Sequence, residues 1–221
     1  MNFQRNTALE YIALGDSLTV GVGVPLFDPG FVEVYARNVE RDIGKRVQIY
    51  KYAKVGATTG DVVNLLTSNC VQAAIKQADI ITITAGGNDL IKAARIYIQN
   101  QDKEVLDAAL ATSINNLTEL IRSLDLLIEE CEGPFIIRLA NLYNPFPSIP
   151  LVDPWVQTFN QHVQGFSSIP NVKIADIYSV FKGCENDLLS SDKIHPNGKG
   201  YFEIARSFRE FGYKPLTSRD E

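Results

Sequence analysis

Four short stretches of this chain carry groups that can do chemistry together. They are Gly15-Asp16-Ser17-Leu18, Lys54-Val55-Gly56-Ala57-Thr58, Gly86-Gly87-Asn88-Asp89 and Asp192-Lys193-Ile194-His195-Pro196. A serine hydroxyl attacks a carbonyl only when a base takes its proton. Ser17 is the candidate nucleophile and His195 the candidate base. Asp192, three residues before His195, can hold the imidazole in one tautomer. Acyl transfer also develops an oxyanion, which backbone N–H groups and an asparagine amide can hold. Asn88 supplies the amide, and Gly56 lets backbone approach a ligand without a side chain in the way. Each residue has a plainer use as well. Ser17 suits a helix N-cap, Gly56 a simple turn, and Asn88 a cap for the residues after it. Asp192 suits an Asx turn and His195 a surface loop before a helix-starting proline. The combination is what points to acyl transfer.

The elements that must position these groups follow from periodicity. Short apolar or β-rich runs at 10–14, 47–53, 79–84, 135–139 and 172–177 read as strands. Between them lie helical stripes at 31–43, closed by Gly44, at 61–78, and at 104–131, closed by Gly133-Pro134. Two more are expected at 155–164 and 197–211. Strands separated by helices imply a parallel α/β sheet covered on both faces. In such sheets functional groups collect at the carboxyl ends of strands, where three of the four stretches fall.

GDSL at 15–18, a glycine after the second strand, GGND at 86–89 and DxxH at 192–195 occur in the order and spacing of the SGNH, or GDSL, hydrolases. The chain resembles that family over residues 11 to about 211. The resemblance implies a three-layer α/β/α sandwich with a five-stranded parallel sheet of flavodoxin-like type. It further implies Ser17 as nucleophile, His195 as general base and Asp192 as orienting acid. The oxyanion hole would be the Ser17 N–H, the Gly56 N–H and the Asn88 side-chain amide, with no cofactor and no metal. Bacterial lipase-like members, intracellular or spore-associated, are the nearest in kind.

Composition narrows the field. The chain has 221 residues, 21 Lys and Arg against 26 Asp and Glu, and a net charge of −5. That length suits one domain, with its core at about 8–212 and the polar end at 213–221 expected to fray. An acidic balance without a basic cluster disfavours nucleic acid. Cys70, Cys131 and Cys184 are too few and too scattered for a disulfide framework or a zinc site. No 18-residue apolar run is present, and the N-terminus lacks a signal pattern. The expected location is therefore cytoplasmic, with a spore-associated or secreted setting as alternatives. Only two histidines exist, and His162 sits in a plain helical pattern with no acid at a fixed offset. His195 is left as the base.

Rival motifs fail on single residues. Gly21 and Gly23 are not followed by the third glycine of a dinucleotide loop, and no Gly-Lys-Ser/Thr is present. Thr19 stands where the GxSxG elbow needs its second glycine. A non-catalytic coat or binding module, an acyltransferase and a thioesterase stay open as alternatives to ester hydrolysis. The expected partner is a small ester or lipid. The proline-rich loop at 142–155 has two readings: Tyr143, Phe146 and Trp155 form a substrate rim facing 91–101 across the site, or the loop is rigid and packs on its own side chains.

Overall fold

The computed structural model describes residues 8–128 and 133–217. Its strands are β1 (Ala8–Gly15), β2 (Arg46–Ala53), β3 (Ile80–Ile83), β4 (Ile136–Ala140) and β5 (Val172–Ala175). They form one parallel sheet in the order β2-β1-β3-β4-β5. The helices are α1 (Ser17–Val20), α2 (Phe31–Ile43), α3 (Thr59–Leu65), α4 (Asn69–Lys76), α5 (Gly87–Asn100) and α6 (Glu104–Ile128). They continue with α7 (Val152–Gly165), α8 (Ile177–Phe181), α9 (Glu185–Leu188) and α10 (Gly198–Arg209). This is the three-layer α/β/α sandwich expected from the sequence.

Handedness fixes which helix covers which face. Parallel crossovers are right-handed, so α2, running from β1 to its neighbour on one side, lies on one face. The later crossovers run the other way across the sheet and lie on the opposite face. Accordingly Phe31, Tyr35 and Val39 of α2 share a core with Tyr201, Ile204 and Phe208 of α10. Residues of α3, α4, α6 and α7 share the second core with Ile12, Leu14, Ile81 and Ile83. β3 and β4 are buried throughout, whereas β2, at the edge, alternates as half-exposed strands do.

Several boundaries depart from expectation for identifiable reasons. The stripe at 61–78 is two helices, because Thr67 Oγ1 donates to the Asn64 carbonyl at 2.8 Å and Gln72 Nε2 to the Leu66 carbonyl at 2.7 Å. Such local bonds compete with the helical ladder. The helix α5 is absent from the expected elements, and it buries only Leu90 and Ala93. The end of the 104–131 stripe, with Cys131, lies outside the described residues; Cys70 and Cys184 are free and exposed. The segment after α10 was expected to fray, yet Tyr213 and Leu216 are buried. Buried Arg138 holds it there, donating through Nη2 to the Gly212 carbonyl at 2.8 Å, and Tyr213 Oη donates to Asp42 at 3.0 Å. Residues 218–221 lie outside the described residues.

Candidate active site

Strand order reverses direction at β1 and β3, and a crevice opens at their carboxyl ends. Ser17 follows β1 and Asn88 follows β3, so both stand at that crevice. The turn into α1 is tight. A Cβ on Gly15 would lie 2.6 Å from Thr19 Oγ1 and 2.6 Å from the Thr84 carbonyl, so only glycine fits. Asp16 then caps α1, accepting from the Leu18 N–H at 3.0 Å and from Thr84 Oγ1 at 2.9 Å. Burial raises the Asp16 carboxyl above its ordinary range, against the pull of those two donors. Ser17 is the first residue of α1, so its N–H has no partner within the helix.

His195 meets Ser17 from the far end of the chain. The Nε2 atom is 2.9 Å from Ser17 Oγ, and Nδ1 is 2.6 Å from Asp192 Oδ2. The other carboxylate oxygen of Asp192 accepts from Ser190 Oγ at 2.8 Å and from the Ile194 and His195 N–H groups at 2.9 Å each. Partial burial pushes this carboxyl up, but those donors and the imidazole outweigh it and hold it well below the usual carboxylate range. The DxxH loop is pinned at its base by a bridge between Leu189 and Pro196, with Ser190 N–H donating to the His195 carbonyl at 2.8 Å.

Gly56 has a positive φ of 79°, which favours glycine, and lines the same pocket. Asn88 Nδ2 donates one hydrogen to the Ala57 carbonyl at 2.9 Å, which fixes the amide's orientation and leaves its second hydrogen for the pocket. The stretch after β2 is held to the stretch after β3 by Asp89. Its carboxylate accepts from the Thr59 N–H at 2.9 Å and from Thr59 Oγ1 at 2.8 Å.

The pocket has a volume of about 280 Å³. Ser17, Gly56, Asn88 and His195 line it, together with Leu90, Ile91, Lys92 and Arg95 of α5 and Leu142, Tyr143, Phe146, Ile177 and Ile194. Tyr143 and Phe146 thus both line the pocket. Trp155 does not: it is 5% exposed, donates through Nε1 to the Leu106 carbonyl at 2.9 Å and stacks on Phe159. It belongs to the first turn of α7, and its indole faces the core. His162 is also remote, edge-on to Phe166 and 3.3 Å from Thr118 Oγ1. Among the described residues no three His, Cys, Asp or Glu side chains come together in a way that could hold a metal.

Several supporting residues escaped the sequence reading. Tyr143 does more than line the rim, donating to the Ile194 carbonyl at 2.6 Å and stacking on Phe181. Gly23 stands near the start of the 21–30 loop. A Cβ there would lie 3.0 Å from His195 Cβ, so this glycine lets the 21–30 loop pass beside the imidazole. Asp16 and Asp89 stood within the recognised blocks, but their partners Thr84 and Thr59 lie 68 and 30 positions away.

The GDSL-like Lipase/Acylhydrolase family profile matches residues 13–201. The chain belongs to that family. Within the lipase/acylhydrolase family, it is 41% identical over 208 residues to the spore germination lipase LipC of Bacillus licheniformis, covering 94% of this chain and 98% of that protein. The crystal structure of the lipase Lip_vut3 from a goat rumen metagenome superposes with a TM-score of 0.90 at 41% identity, covering 95% of this chain and all of the other. The acetylxylan esterase Axe2 of Geobacillus stearothermophilus shares the fold, with a TM-score of 0.69 at 20% identity over 98% of this chain and all of its own. The chain is thus a hydrolase of the GDSL lipase and esterase class. No helix among its described residues is long and apolar enough to cross a membrane.

Proposed function

We propose that this protein cleaves carboxylic esters of lipid or short-chain acyl type through an acyl-serine intermediate. The observation that carries the reading is the continuous relay of 2.9 Å from Ser17 Oγ to His195 Nε2 and 2.6 Å from Nδ1 to Asp192, opening into an apolar pocket. Ser17 Oγ attacks the carbonyl carbon while His195 Nε2 takes the hydroxyl proton. The oxyanion that forms is met by the Ser17 N–H, the Gly56 N–H and the free hydrogen of Asn88 Nδ2. As the tetrahedral species collapses, the C–O bond to the alcohol breaks and His195 returns the proton to the departing oxygen. Water then enters, gives its proton to His195 and releases the acid and Ser17 by the same steps reversed.

The pocket's aliphatic and aromatic wall suits an acyl chain, and the lipase names of the relatives at 41% identity support a lipid ester. The spore germination name of the Bacillus licheniformis relative favours a spore-associated setting over a cytoplasmic one. Fluorophosphonate labelling tests the mechanism. Ser17 carries the adduct in folded protein, and His195→Ala abolishes both labelling and p-nitrophenyl ester turnover while His162→Ala leaves both intact. An unlabelled Ser17, or turnover that depends on His162, refutes it.

A further inference from the structure

The 21–30 loop has an unusual distribution of apolar surface. Its ends touch, since a Cβ on Gly30 would lie 3.1 Å from Gly21 Cα, and its base is tied down by Tyr201 Oη donating to the Val22 carbonyl at 2.5 Å. Gly23 presses the same base against His195. Beyond this rigid base the chain turns back, with the Asp28 N–H donating to the Pro25 carbonyl at 2.9 Å. The two corner residues of that turn are Leu26 and Phe27, 89% and 94% exposed. They are the most exposed large apolar residues among those described.

Two adjacent large apolar side chains held almost wholly in water are unfavourable for a chain with no use for them. Turns ordinarily place Gly, Asn, Asp or Ser at such corners. Here an apolar tip is borne on a fixed base that passes beside His195, itself one of the residues lining the pocket. At the pocket's α5 wall stand the exposed cations Lys92 and Arg95, neither in an ion pair among the described residues. The geometry points to the Pro25–Asp28 turn as a wedge that inserts into a lipid surface and brings the pocket mouth onto it. The occupant is the surface of a lipid aggregate. Leu26 and Phe27 enter the acyl region, and the cations face anionic headgroups. The inference goes beyond ester cleavage, because docking on lipid requires no turnover.

The test reads binding and turnover separately. Binding is measured on the Ser17→Ala chain by flotation with vesicles of phosphatidylcholine and phosphatidylglycerol in equal amounts. Full burial of one Leu or Phe side chain is equivalent to roughly a tenfold change in partition or more. The added Leu26→Ser/Phe27→Ser pair should therefore lower the vesicle partition constant at least about tenfold. In the active chain the same pair should lower the ratio of vesicle-ester to soluble-ester turnover by a similar factor. Phe27→Trp supplies a direct signal: its emission shifts to the blue on adding vesicles, while the sole native tryptophan, buried Trp155, gives a constant background. Unchanged flotation in the double variant, or no spectral shift, overturns the proposal. So does a dimeric wild type that becomes monomeric in the double variant, which would mean that the tip covers a second copy of the chain. Loss of soluble-ester turnover in the wild type would count against ester hydrolysis but leave the flotation result standing.

Discussion

Replacing Asp192 by asparagine preserves its shape while inverting one polarity, and the site makes the consequence calculable. One oxygen of Asp192 already accepts from Ser190 Oγ, Ile194 N–H and His195 N–H at 2.8–2.9 Å. In Asp192→Asn those three donors keep the amide oxygen facing them, so the NH₂ group must face His195 Nδ1. The imidazole then accepts at Nδ1 and carries its proton on Nε2, the atom that takes the proton of Ser17 in the proposed reaction. Flipping the amide restores the tautomer but sets NH₂ against three donors, at about 0.5–1.5 kcal/mol per lost bond. In either state the charge-assisted bond to the imidazolium is lost, about 1.5–3 kcal/mol more. Asp192 is 43% exposed, and water softens each of these penalties. About 4 kcal/mol is left, equivalent to roughly a 10³-fold fall in kcat. The assay is steady-state hydrolysis of p-nitrophenyl butyrate, with KM little changed, alongside the rate of fluorophosphonate labelling. A variant that keeps more than a tenth of wild-type kcat would refute the assignment of Asp192 and the tautomer argument with it.

Asn88→Ala should lower kcat by about 10²–10³ with little change in KM, the loss for one oxyanion donor, read in the same ester assay. A loss under tenfold would leave Asn88 as a mere tie to Ala57. Phe146→Ala enlarges the pocket wall and should move the best p-nitrophenyl ester toward longer acyl chains. Trp155→Phe, a change in the core, should lower the melting temperature and leave that preference unmoved. For pH, the Arg209 guanidinium, then the Tyr213 hydroxyl, hold Asp42 down to about 2. A carboxyl lowered on folding adds stability that is complete above its unfolded value of about 4 and is lost as pH falls toward 2. Melts of wild type and Asp42→Asn should therefore differ by a constant interval above about pH 4 and converge below it. Curves that stay parallel down to pH 2 would rule out the Arg209 and Tyr213 contacts as the cause.

The four candidate stretches stand out in the sequence because the features of each are local. A tight turn at Gly15, an Asx-like loop at Asp192 and a positive φ at Gly56 are written into one or two residues each. What holds the stretches together is written across the chain and could not be read. Asp89 finds Thr59, and Tyr143 finds the Ile194 carbonyl, only after the sheet has brought separate strand ends side by side. Trp155 was misplaced for a related reason. The prolines of the 142–155 loop concealed that α7 begins at Val152, and Pro154 is tolerated in the first turn of a helix. One turn of helix rotates the indole from the rim into the core. Lys92 and Arg95 lie in the 91–101 stretch expected across the site, but which of its residues face the pocket depends on how the helix α5 is turned.

Ser17 and the imidazole that touches it are 178 positions apart. During synthesis Ser17 leaves the ribosome well before the imidazole it is to meet. On the proposed mechanism a nascent chain short of His195 holds a hydroxyl with no base to take its proton. On that mechanism reactivity waits until the DxxH loop has been made and has docked beside Ser17, and the onset of fluorophosphonate labelling would mark the moment at which a newly made chain has closed its fold around the serine.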